Sequence, residues 1–379
     1  MVLFIEFMNR AKLLLLFLLV GICSCNQIKE QEIIFDDNIQ NSEDSIAMSS
    51  FIKVEKAIKL ETSPSSMIGN IHQIIKKNGL YYINSSNSPL KVFNENGSYV
   101  RNIGNLGHAR GEYASVLSMD IDENNVYVLT NRKLMIYSID GTFLKAHDLD
   151  VNADAIHVYD DGYLFFVLED KNVLHTYTKS LVPQKQNIPR KQALRICKYM
   201  PFYSLEDKLL FHEGHSSDVA VFNTASNTFS SAKLLDSDNC LTIEEEDELI
   251  EKGVKVHKSS KRIFDGMITT ERQLLVASMY NQEILIYAKD FRTNKTRSFP
   301  IERIVNDLTF VSPQSFFASN TYSKENFITY ISPILLSEAK QKAGDVVAKS
   351  PYTDLILPLV GDEDSNSNPI IIEYSVILR

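Results

Sequence analysis

The residues that come nearest to a reactive centre are Asp120 and His157. Each stands four positions ahead of a turn that recurs along the chain, "ENN" at Asn124 and "DDG" at Asp161. His72 lies close to the corresponding place ahead of "KNG" at Asn78. A carboxylate and an imidazole brought together serve general acid–base chemistry or hold a metal. The corresponding positions elsewhere are Ile74, Phe202, Met267 and Thr321, so two donors converge where zinc needs three or four. No HxxxH or HxxE spacing and no GxSxG elbow accompanies them. Asp120, His157 and His72 are therefore expected to line a channel as solvated side chains, with no metal and no cofactor.

Three other stretches invite a chemical reading. "IGNLGHARGEYASV" (103–116) sets Gly104, Gly107 and Gly111 beside Arg110, as a phosphate loop would. A Walker loop needs GxxxxGK[ST] before a helix, and a dinucleotide loop needs GxGxxG within a βαβ unit. Neither the lysine nor the helix is present, so these glycines mark a backbone joint. "EEEDE" (244–248) reads as the acidic first half of an exposed helix, favourable with the helix dipole. "GDEDSNSN" (361–368) lacks the glycine and terminal glutamate of an EF-hand loop and reads as a solvated turn.

Composition narrows the partners. The 379 residues are 44% hydrophobic, enough for a sizeable core, and carry a net charge of -9. Scattered Lys and Arg under that charge exclude nucleic acid, which needs clustered cations. The N-terminus carries an address. From Met8, Arg10 and Lys12 precede the apolar run Leu13 to Val20, too short for an ordinary membrane span, and small residues follow. "ICSC" resembles a bacterial lipobox, with Ile22 at -3, Ser24 at -1 and Cys25 as the lipid acceptor. Residues 1–24 are expected to be a lipoprotein signal peptide, with translation starting at Met1 or Met8. Residues 25–50, polar and acidic, are expected to form a flexible tether. The mature chain then keeps Cys197 and Cys240, either paired in an oxidising envelope or buried as thiols.

The elements that would position any site are short strands. From Phe51 onward, runs such as "GLYYINS", "NVYVLT", "KLMIYSI" and "EILIYAK" alternate with turn residues. Helical patterning is confined to Thr242–Gly253 and Ser337–Gly344. One turn type recurs near positions 78, 124, 161, 206, 271 and 325, and a second near 97, 141, 180, 225 and 292. The underlying period is about 45 residues, that of a four-stranded propeller blade. Residues 117–149 give the clearest unit, from "LSMDID" to "TFLKAHDL", its last two strands meeting at Asp140-Gly141. Six units fit. The sixth lacks a strand, and "FIKVEKAIKLE" (51–61) is spare, so the two are expected to pair and close the ring. The fold class is all-β: a six-bladed β-propeller of four-stranded blades over residues 51–379, with two short helical insertions.

Three motifs carry a family resemblance: "LKVFNENGSYVRNIGNLGHARGEY", "MIYSIDGTFL" and "GDEDSNSNPIIIEYSVI". With them the chain resembles the six-bladed propeller lipoproteins of the Bacteroides lineage, similar in shape to NHL-repeat proteins. It departs at Ala109-Arg110, where that family shows Gly-Pro. The resemblance implies an envelope-anchored protein, held to the membrane by its N-terminal lipid and probing a small-molecule, glycan or protein ligand at one mouth of the ring. It supplies no catalytic residues. The competing expectation is a metal-dependent hydrolase or lyase with its site in the central tunnel.

Overall fold

The computed structural model describes residues 32–35, 45–168, 170–184, 188–189, 200–206, 208–212, 214–343, 353–359 and 367–378. The chain divides into two units, Met1–Glu32 and Ile33–Arg379. Of the first only Glu32 is described, so Cys25 and the expected signal peptide lie outside the described residues, as does Cys197. Cys240 is buried.

The second unit is a six-bladed β-propeller. Blade 1 comprises Ile71–Lys77, Leu80–Ser85, Leu90–Asn94 and Tyr99–Ile103, and blade 2 comprises Ser118–Ile121, Asn125–Thr130, Lys133–Ser138 and Phe143–Asp148. Blade 3 is built from Ala155–Tyr159, Gly162–Phe166, Asn172–Thr178 and Ile188–Pro189. Blade 4 has Phe202–Leu205, Lys208–Phe211, Asp218–Asn223 and Thr228–Leu235, and blade 5 has Ile263–Thr269, Gln273–Tyr280, Glu283–Asp290 and Lys295–Pro300. Within each blade the strands pair antiparallel. Alternation puts apolar side chains on both faces, because both faces pack on neighbouring blades. Val126 and Val128 face blade 1 beside Tyr82 and Val92, while Tyr127 and Leu129 face blade 3 beside Tyr163 and Phe165.

The ring closes as the spare strand implied. Ile370–Val376 pairs antiparallel with Phe327–Ile331 on one side and with Ile52–Lys59 on the other. Blade 6 therefore takes its outer strand from the start of the propeller and its middle strands from the end. Its innermost strand differs from the other five. Thr321–Ser323 pairs parallel with Ile74–Lys76 of blade 1, bridging the closure at the centre.

Two local readings shift. The second helix runs Pro333–Ala343, four residues earlier than "SEAKQKAG" suggests. Proline is welcome at a helix's first position, and Leu336 N reaches Ser332 O, whereas "ITYISPILL" reads locally as continued strand. The first helix, Ile243–Glu251, has a reciprocal Thr242–Glu245 capping box, but Glu246 is fully buried rather than exposed. Its carboxylate accepts from His215 N and lies 2.7 Å from His215 Nδ1.

Part of the stretch read as tether is engaged with the propeller. Glu32–Phe35 adds a fifth strand outside Thr228–Leu235 of blade 4. Ile34 and Phe35 are buried, and Lys289 Nζ donates to Ile34 O at 2.7 Å. Ile46–Ala47 pairs parallel with Ile304–Val305, and Met48 and Phe51 enter the core, Phe51 stacking on Phe299 at 4.0 Å.

Candidate functional site

Antiparallel strands sort the loops into two groups. First-to-second-strand turns, such as residues 78–79, 122–124 and 160–161, share one end of the ring and are short. Blade-to-blade crossovers and second-to-third-strand links share the other end. Both helix-bearing insertions fall there: residues 236–262 between blades 4 and 5, and residues 332–369 within blade 6. The crossover end is thus the elaborated one, where recognition loops belong.

The glycine stretch is one of these crossovers, from Tyr99–Ile103 to Ser118–Ile121. At Gly104 φ is +64°, and a Cβ would lie 2.7 Å from both the Tyr113 ring and the Tyr137 hydroxyl. Tyr113 is the reason for the close approach. Its hydroxyl donates to Ile103 O at 2.5 Å and accepts from Leu90 N at 2.9 Å, stapling blade 1 to the crossover. Arg110 is exposed, its guanidinium 6.0 Å from the Phe143 ring of blade 2. No anion cradle results.

On the ring axis, Asp120 and His157 meet. His157 Nδ1 lies 2.9 Å from Asp120 Oδ2, which also accepts from Val158 N at 2.7 Å. His72 does not join them: its Nε2 lies 2.9 Å from Ser86 Oγ, within blade 1. Around the pair the axis is packed. Gln73 bridges to blade 2, donating to Met119 O and accepting from Met119 N, both at 2.9 Å. Tyr322 closes in from blade 6, its hydroxyl pushed up to about 12 by burial, against which a hydrogen bond with Ser204 acts. The cavity left among Gln73, Asp120, His157, Phe202 and Tyr322 has a volume of about 40 Å³. That is room for a water molecule. Among the described residues no three His, Cys, Asp or Glu side chains gather as a metal would require.

A large cavity lies off axis on the crossover end, at the junction of blades 6 and 1. It has a volume of about 940 Å³. One wall is the loop before blade 1, with Met67, Ile68 and Asn70; another is the blade 5-to-6 crossover, with Phe310, Val311 and Ser312. The helix Pro333–Ala343 contributes Leu335, Glu338 and Ala339, and Tyr330 and Pro369 come from blade 6. Met67 and Leu335 are exposed there, at 40% and 51%. An apolar lining with a few polar groups is the usual character of a small-molecule site.

Both loop walls are held firmly. Buried Asn368 accepts from Ile68 N at 3.0 Å and donates to Glu61 O and Ser66 O at 2.6 and 2.9 Å. Its own backbone N donates to Thr62 Oγ1 at 3.0 Å. Gly69 permits the loop to pass blade 1, since a Cβ would sit 2.5 Å from Ser86 O. On the opposite wall, buried Asn306 accepts from Leu308 N and Thr309 N and donates to Val311 O, which fixes Phe310 at φ +60°. A phenylalanine in that region is strained, and such strain concentrates at binding sites. Burial raises the Tyr330 hydroxyl above the usual phenol range, opposed by the hydrogen bond from Asn320 Nδ2 at 3.1 Å.

Sequence reasoning missed this cleft because it is assembled from four segments, residues 67–71, 310–315, 330–339 and 367–369. None carries a local motif. The one signal was the "NP" of the closing strand, whose Asn368 now has a structural task.

A family model described as a domain of unknown function, DUF4934, matches residues 30–375. No curated protein matches the chain. A solved structure from Bacteroides fragilis NCTC 9343, named as an exported protein, has a TM-score of 0.72 at 17% identity, covering 91% of this chain and 99% of that one. The extracellular domain of a one-component system from B. thetaiotaomicron has a TM-score of 0.39 at 12% identity, covering 65% of this chain and 29% of that one. The first of these likenesses shows a shared fold.

Proposed function

Because the chain belongs to the DUF4934 family, whose description assigns no activity, we propose its function from its own geometry: a non-enzymatic, envelope-anchored propeller lipoprotein that binds a ligand in the off-axis cleft. The observation that carries this reading is the 940 Å³ cleft between blades 6 and 1, set against an axial cavity of about 40 Å³. Anchoring rests on the lipobox at Ile22–Cys25, and the description of the B. fragilis neighbour as exported agrees with it. Glycan uptake is one use of such a protein. The cleft's aliphatic lining favours ligands with an apolar body over unsubstituted sugars.

The test is a filled cleft. Val311→Trp and Leu335→Trp are expected to abolish binding of a polarity-sensitive fluorescent reporter while leaving the thermal transition in place. Undiminished reporter binding in both variants would overturn the cleft as the site. Anchoring is tested separately: Cys25→Ala is expected to lose labelling by a palmitate analogue and leave the membrane fraction.

The hydrolase or lyase reading retains one specific observation, the contact between Asp120 and His157. Stoichiometric tightly held zinc or calcium, lost on Asp120→Ala and His157→Ala substitution, would favour it.

A further inference from the structure

The cleft has a polarity of its own. Its polar lining comprises neutral groups and one charged side chain, Glu338, on the exposed side of the helix Pro333–Ala343. Among the described residues no Lys, Arg or His lines the cavity. Two aromatic residues do, Phe310 held by the Asn306 loop and Tyr330 held by Asn320. A carboxylate with aromatic rings in one apolar cavity is a combination that attracts organic cations: the carboxylate supplies the opposite charge and the ring faces supply negative potential. A ligand carboxylate or phosphate would meet Glu338 with no compensating cation among the described lining residues, in a protein whose net charge is already -9.

Resting on the cleft as the binding site, we propose that its ligand class is the organic ammonium: a molecule with an apolar body and a protonated or quaternary amine. The body fills the space among Met67, Val311, Leu335 and Ala339, and the amine lies toward Glu338 with Phe310 and Tyr330 beside it. No covalent step is involved. Selection is by charge, and the volume admits bodies well beyond a single ring.

The experiment uses the whole mature chain and three probes that share one body: a naphthyl-hexyl amine, the matching alcohol and the matching carboxylate. Binding is read by naphthyl fluorescence at low salt. The amine is expected to bind about tenfold more tightly than the alcohol, and the carboxylate more weakly than either, as for one partly solvated charge pair. Glu338→Gln is expected to bring the amine and alcohol within about threefold of each other without altering the alcohol's affinity. Equal binding of all three probes to the native chain, abolished by Leu335→Trp, would overturn the ammonium assignment and leave the cleft intact as a site. If no probe responds to Leu335→Trp, the site itself is overturned. Tighter binding of the carboxylate would reverse the assignment.

Discussion

Glu373 shows how one side chain can hold a ring shut. It is 1% exposed on the last strand, where Lys76 Nζ lies 2.7 Å away, Asn326 Nδ2 donates at 3.1 Å, and the Tyr81 hydroxyl donates as well. Burial alone would raise its carboxyl, but these hydrogen bonds and the Lys76 charge carry it below its ordinary value of 4.5. A carboxyl lowered by folding stabilises the fold fully above that ordinary value, and the contribution is lost as pH falls through the lowered one. Chemical denaturation is therefore expected to show flat stability from neutrality down to about pH 5 and a decline below it. Glu373→Gln should remove part of the acid slope and cost about 3 kcal/mol at pH 7, because it strands the Lys76 charge. A second residue prediction concerns the cleft wall. Asn368→Ala takes the partner from the buried Ser66 carbonyl and from the Ile68 N–H, while Glu61 O keeps the Ser66 hydroxyl, and is expected to cost about 2 kcal/mol, read in urea melts, and to weaken reporter binding.

At the scale of elements, the strand Ile52–Lys59 is the part on which closure depends. Removing residues 1–60 exposes both Ile370–Val376 and the apolar blade face behind it, so the truncated chain is expected to lose its cooperative transition and aggregate. A circular dichroism melt with a sharp native-like transition would contradict this. The same strand marks what the sequence makes legible. Turn spacing and alternating apolar residues reveal the blades, because each blade is a local hairpin series with its own turn chemistry. The spare "FIKVEKAIKLE" pointed to its partner by subtraction. The early start of the helix at Pro333 was hidden by "ITYISPILL", whose β-branched run satisfies a strand equally well. Glu32–Phe35 was hidden by acidic, polar neighbours, and only the blade 4 edge reveals why Ile34 and Phe35 are apolar. The cleft was hidden for a different reason: Met67 and Leu335 lie 268 positions apart and meet only when the ring closes.

For the whole molecule, the division into a plain end and an elaborated end locates function without a motif. Turns on the plain end are short and hold one another, as where Glu206 N donates to Glu271 O and Glu271 N to Lys324 O, but none of them lines the cleft. A six-residue Gly/Ser insertion between Ala225 and Ser226 is accordingly expected to leave reporter binding unchanged, whereas the same insertion between Ser312 and Pro313 should abolish it. Equal tolerance at both places would argue against a one-sided protein. The packed axis fits this division, since Gln73 and Tyr322 use the centre of the ring for blade-to-blade contacts.

The added strand at Glu32–Phe35 also bears on mechanics. Tension arriving along the chain from its N-terminal side meets blade 4 first, then the short pairing of Ile46–Ala47 with Ile304–Val305, and only then the closing strand. The arrangement works as a cable clamp, in which two sacrificial grips yield before the joint that keeps the ring whole. Pulled between its ends in an optical trap, the protein should first release about 20 residues, roughly 70 Å of contour, and refold that length reversibly while the six blades stay shut.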